Sequence, residues 1–192
     1  MSETQASSIN YDDLSYSGTN QTLAKIVSLL QLDQAIILVT GSLRQDLSTL
    51  LLSLENELKY SNFVLIINPP NKSQSITQQL AAQLYLPDTP SSRAQLPALI
   101  ERALSTANNR RVVLLCNNVD LFDATAMEQI RQLSNLNSTT HKAISVVLLG
   151  SKDLLRKSRQ PGLLAFQQRI TDQFTLPSPS YSLPSLINTY GN

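Results

Sequence analysis

AIILVTGSLRQDLSTLLLSLENEL, Ala35 to Leu58, decides how the rest of the chain is read. Ala35, Ile36, Ile37, Leu38 and Val39 are a short, continuous apolar run rich in β-branched residues, the pattern of a strand buried on both faces of a parallel sheet. Thr40 and Gly41 end it. From Asp46 the period changes, because Leu47, Leu50, Leu51, Leu54 and Leu58 recur at intervals of three and four and place one apolar stripe on a helix. Strand, turn opened by Gly, and amphipathic helix together form a βα unit.

The same frame carries phosphate-binding loops of the pattern G-x-x-x-x-G-K-[ST]. Laid on that pattern, Gly41 to Ser48 keeps the first Gly and the Ser, but Asp46 stands at the second Gly and Leu47 at the Lys. The Lys of such a loop brings positive charge to the β and γ phosphates, and the second Gly lets backbone N–H groups close around them. Leu47 supplies no charge. Asp46 is expected to set its carboxylate against the free N–H groups of the helix start, where a phosphate would otherwise sit. Arg44 is the one cation nearby, within the turn. An ordinary βα unit that never held phosphate is the alternative for this segment.

The 192 residues are enough for one domain with a sizeable core. Fifteen Lys and Arg against 14 Asp and Glu leave a net charge of +1, so no global basic field points to nucleic acid or an anionic membrane. One Cys, Cys116, excludes an intramolecular disulfide, and with the lone His141 it gives no basis for a metal or catalytic cluster. No apolar run approaches the roughly 20 residues that span a bilayer, and the polar N-terminus lacks a secretory signal pattern. A chain with no membrane insertion of its own and a cytoplasmic location is expected.

Residues 1–18 are rich in Ser, Asp, Thr and Gln and predict a flexible arm, in which Tyr11, Leu14 and Tyr16 are the docking candidates. Leu23, Ile26, Val27, Leu29 and Leu30 mark a helix leading into the first strand. FVLII, Phe63 to Ile67, predicts the second strand, ended by Pro69 and Pro70. Helices follow over 73–85 and around Leu96 to Leu104. VVLLC, Val112 to Cys116, is the third strand, then a helix runs from Ala124 to about Asn135. ISVVLL, Ile144 to Leu149, is the fourth strand; a broken helical stretch covers 152–169, and Ile170 to Leu176 supplies a short fifth strand. Residues 177–192 predict an irregular tail. Alternating strands and helices imply an α/β fold with a parallel five-stranded sheet covered on both faces.

The order of these elements resembles the AAA+ branch of P-loop ATPases, and more closely the general secretion pathway protein A (ExeA-type) family. The likeness covers about Leu23 to Leu183 and is carried by RRVVLLCNNVDLF, MEQIRQLSNLN and ISVVLLGSKDLL followed by LLAFQQRITDQFTLP, which look like that family's Walker B strand, following helix, fourth strand and Arg-bearing segment. Members of that family are inner-membrane ATPases that help secretion or pilus machinery pass the peptidoglycan layer. The resemblance implies an AAA+-like domain over residues 19–176. The few residues after Leu176 are too short for the AAA+ lid, so that subdomain is expected to be absent.

Walker B would end the third strand on Asp followed by Glu, and the resemblance puts Asn117 and Asn118 there. Neutral amides weaken Mg²⁺ binding and cannot serve as a general base. Asp120 supplies a carboxylate only if the strand end shifts register. A loop that satisfies its own backbone is the other reading of the Asn pair. The resemblance further implies an arginine finger, offered in trans to a neighbouring subunit, for Arg169, with a surface Arg as its alternative. Ser151 falls at a polar sensor position or caps the next turn.

The degenerate nucleotide-site positions Gly41, Asp46, Leu47, Ser48, Asn117 and Asn118 imply a catalytically inactive domain. No cofactor, metal or catalytic residue is expected. Its partners would be proteins of a bacterial envelope or secretion assembly, in a homo- or hetero-oligomer, with the chain as the cytoplasmic domain of an inner-membrane protein. The alternatives are a divergent ATPase using Arg44 and Asp120 as substitutes, and a DNA-binding accessory of the transposition type.

Overall fold

Five strands carry the computed structural model, which describes residues 11–32, 35–71, 74–85, 98, 101, 105, 107, 110–135, 144–154 and 167–177. In chain order the elements are α1 (Tyr11–Leu32), β1 (Ile36–Gly41), α2 (Arg44–Leu58), β2 (Asn62–Ile67), α3 (Ile76–Gln83), β3 (Arg111–Cys116), a 3₁₀ turn (Val119–Leu121), α4 (Ala124–Asn135), β4 (Ser145–Ser151) and β5 (Asp172–Thr175). All strand pairs are parallel, in the order β2-β3-β4-β1-β5. The apolar runs therefore lie where a parallel sheet needs them, and β1 is buried along its whole length.

Alternation along the strands divides the core into two. Ile36 and Leu38 of β1, Val112, Leu114 and Cys116 of β3, and Val146 and Leu148 of β4 face α3 and α4, meeting Ile76, Leu80, Met127, Ile130 and Leu133. Ile37 and Val39, Val113 and Leu115, and Val147 and Leu149 face the other way, onto Ile26 and Leu30 of α1 and the α2 leucines. A strand side chain changes face at each residue, so continuous apolar runs serve both layers. The five leucines expected to form one stripe on α2 are the five that are buried.

Several boundaries differ from the sequence reading: the helix read over 73–85 is Ile76–Gln83, the fourth strand runs on to Ser151, and the fifth is Asp172–Thr175. Helix α1 begins at Tyr11, inside the stretch read as an arm. Gly18, poor in a helix interior, is tolerated because a Cβ there would come 3.0 Å from Pro177 Cγ: the helix passes close against the chain leaving β5. Helix α2 begins at Arg44 rather than near Asp46, and β1 runs through Gly41, so only Ser42 and Leu43 join them. The predicted helix around Leu96 to Leu104, the loop holding His141, most of the 152–169 stretch, residues 1–10 and the tail after Pro177 lie outside the described residues. Within the first of these, Ala98, Glu101 and Ser105 are helical.

The edge of β2 is closed by two glutamines that the hydrophobic pattern did not single out. Gln83 Oε1 accepts from Ile66 N–H at 2.8 Å and its Nε2 donates to Ile66 O at 2.6 Å. Gln79 does the same for Asn68, at 2.8 and 3.0 Å. Four helical residues advance about 6 Å and two strand residues about 6.6 Å, so an i,i+4 pair of amides matches alternate peptide groups of an edge strand. Ser75 starts this helix with a capping box to Gln78.

Candidate functional site

Open parallel sheets offer a crevice at the carboxyl ends of their strands, where strand order reverses. Here β1, β4 and β3 end side by side, and the Gly41, Ser151 and Asn117 regions meet.

Gly41 is the last residue of β1, paired with Ser151. A Cβ on it would come 3.1 Å from Leu47 Cγ and 3.5 Å from Leu176 Cδ1, so Leu47 packs directly under the turn. Leu47 is 1 % exposed and belongs to the core. Asp46 lies half-buried in the first turn of α2, where its charge complements the macrodipole, but the hydrogen bonds expected from it to the free N–H groups are not formed. The helix starts two residues earlier than expected, which puts Asp46 inside the turn and Leu43, with no polar side chain, at the cap. Ser48 is exposed on the following turn.

The side chains of Asn117 and Asn118 bond to other elements, while within the loop Asn118 O accepts from Leu121 N–H at 2.9 Å. Asn117 donates through its backbone N–H to Ile67 O at 2.8 Å and through Nδ2 to Asn68 Oδ1 at 3.1 Å, which ties it to the end of β2. Its Oδ1 is buried and has no hydrogen-bond partner among the described residues. Asn118 is left-handed, φ 49° and ψ 46°, a conformation Asn tolerates better than most residues. Its Oδ1 accepts from Arg44 Nη1 at 2.6 Å.

Arg44 also bonds Asp120, with Nη2 to Oδ2 at 2.8 Å. The Asp120 side chain is only 7 % exposed and its other oxygen, Oδ1, accepts from Ser151 N–H at 3.0 Å. Burial pushes this carboxyl up, but the Ser151 N–H and the Arg44 charge outweigh it and hold the group below its ordinary 3.8. Gly150 permits the approach, since a Cβ there would sit 3.2 Å from Asp120 Oδ1 and 2.9 Å from Leu154 Cδ2. Arg44 and Asp120, read separately as substitutes in a divergent ATPase, are partners of each other. Ser151 enters the site through its backbone. Arg169 is exposed in the turn before β5, and because Asp172 pairs with Ile37 at the start of β1, that turn lies at the opposite end of the sheet. Cys116 is fully buried, and burial pushes its thiol far up, so it is an inert core residue.

Among the described residues no group of three or more His, Cys, Asp or Glu is placed to hold a metal, and no helix is long and apolar enough to cross a membrane.

This strand order, with helices on both faces and a crevice over β1, β3 and β4, defines a P-loop NTPase-like α/β domain. A family profile described as an AAA domain matches residues 30–157, and the chain belongs to that family. It is 28 % identical over 160 residues to general secretion pathway protein A of Aeromonas hydrophila, an overlap of 81 % of this chain but only 29 % of that protein. The fold is similar to that of a chain in the Drosophila ORC structure bound to AT-rich DNA and Cdc6, with TM-score 0.60, 16 % identity, and coverage of 90 % of this chain and 60 % of that one. It is also similar to the Aeropyrum pernix ORC2 protein in its ADPNP-ADP complexes, with TM-score 0.55, 16 % identity, and coverage of 86 % and 47 %.

Proposed function

We propose that this AAA domain is a catalytically inactive, pseudo-ATPase scaffold that binds proteins of a bacterial cell-envelope or secretion assembly. The observation that carries the reading is the commitment of these side chains to the fold itself: Leu47 packs against the Gly41 turn, and the Arg44 guanidinium is bonded to Asn118 and Asp120. A polyphosphate needs free backbone N–H groups and an uncommitted cation. The two-residue connection between β1 and α2 is too short to wrap one, and the Arg44 cation is paired with a carboxylate. Asn117 and Asn118 replace the charges that would hold Mg²⁺ and activate water. ATP and Mg²⁺ therefore do not fit these residues, and no catalytic step is derived through them.

Support for the assembly comes from the likeness to general secretion pathway protein A. Exposed Leu43 and Leu121, adjacent in sequence to Arg44 and Asp120, offer apolar surface for a protein partner. Arg169, exposed at the opposite end of the sheet from this crevice, is our candidate trans arginine finger of a hetero-oligomer.

Phosphate release from ATP and co-purification from the envelope fraction of the native host test the reading. The expected result is no turnover and the same bound proteins with nucleotide or with a chelator. Turnover that disappears in Asp120→Ala would establish the divergent ATPase instead, and retention on a DNA column that weakens with salt would favour the nucleic-acid alternative.

A further inference from the structure

The crevice-forming strand ends are joined by one connected set of bonds. Arg44, at the start of α2, sends one nitrogen to Asn118 and the other to Asp120, both beyond β3. Asp120 passes the connection to the Ser151 N–H at the end of β4. Asn118 reaches Arg44 from a left-handed backbone, and Gly150 leaves the room that any Cβ would take from Asp120. Four independent local choices, a forked cation, an Asn at positive φ, a buried carboxylate and a Gly, thus converge on one contact.

We propose that this Arg44–Asn118–Asp120–Ser151 set is a built-in latch that takes the place of a bound ligand, holding the ends of β1, β3 and β4 in one arrangement without nucleotide. The proposal rests on the reading of the crevice as closed to ATP. A bridging ligand favours the conformation in which its contacts coexist, by its differential affinity for that state. The guanidinium does the same from inside the chain and at no cost in association entropy. Its planar fork suits the task better than an ammonium, because two acceptors on one loop are engaged in fixed geometry. The crevice is consequently set permanently in one state, whereas a ligand-dependent crevice would switch.

Hydrogen exchange of the whole chain tests this in wild type, Arg44→Gln, Arg44→Lys and Asp120→Asn, each first shown by circular dichroism to be folded. Loss of the latch is expected to raise exchange about tenfold together at 41–47, 117–121 and 150–154. Exchange in β2 and α4 should be unchanged, Arg44→Lys should lie between wild type and Arg44→Gln, and Asp120→Asn should loosen the same three segments. Exchange unchanged in Arg44→Gln, or raised only at 41–47, overturns the latch. Protection of these segments in wild type by excess Mg-ATP overturns instead the reading that the crevice takes no nucleotide.

Discussion

Replacing Leu47 by Lys restores the residue type of a phosphate-binding loop and separates two accounts of what this site lacks. If only a charge were missing, Leu47→Lys would regain affinity for Mg-ATP. The structure leads to a different result, because Leu47 is 1 % exposed and packs against the Gly41 turn. Removing a fully buried Leu forfeits about 1.5–3 kcal/mol of burial. The ammonium must then either desolvate or lift its stem past the Gly41 turn to reach water, and disturbing that close packing adds about 1 kcal/mol or more. A total of about 2.5–4 kcal/mol lowers Tm by roughly 5–16 °C for a chain of this size. Urea denaturation followed by circular dichroism gives the stability, and fluorescence anisotropy with a labelled ATP analogue gives binding. A variant as stable as wild type that binds the analogue would refute the account of Leu47 as core.

Asp120→Asn removes a carboxyl that the fold holds below its ordinary 3.8. Such a group stabilises fully above its unfolded value, and that stability is lost as pH falls through the lower folded one. Urea midpoints should therefore favour wild type at pH 7, and that advantage should shrink as pH falls below the ordinary 3.8 and through the lower folded value. Gly150→Ala would press a methyl group against Asp120 and Leu154, and should cost about 1–3 kcal/mol by chemical denaturation. Joint replacement of Gln79 and Gln83 by Ala opens the edge of β2. We expect a loss of about 1–3 kcal/mol and concentration-dependent light scattering that wild type does not show.

The architecture was legible because its signal is repetitive. The runs Ala35–Val39, Val112–Cys116 and Val146–Leu149 are apolar at every position, since each serves two cores, and the α2 leucines keep one helical face through about three turns. The site was legible only as a set of substitutions. Leu47 and the Asn pair stand out against a motif, yet the motif cannot say that Leu47 turns into the core or that α2 starts at Arg44. The Arg44–Asp120 contact joins residues 76 positions apart, and no periodicity encodes it. The two edge glutamines were missed for a related reason: a hydrophobic pattern records which helix face is buried, not which polar groups a strand edge requires. The start of α1 was misread because a polar composition resembles an arm, and the close approach of Pro177 to Gly18 leaves no signal in the sequence.

Isothermal titration of wild-type protein with Mg-ATP tests the central claim most directly. With Leu47 in the core and Arg44 paired to Asp120, no binding heat is expected at any attainable protein concentration. A saturable isotherm of micromolar affinity, abolished by Arg44→Gln, would contradict it.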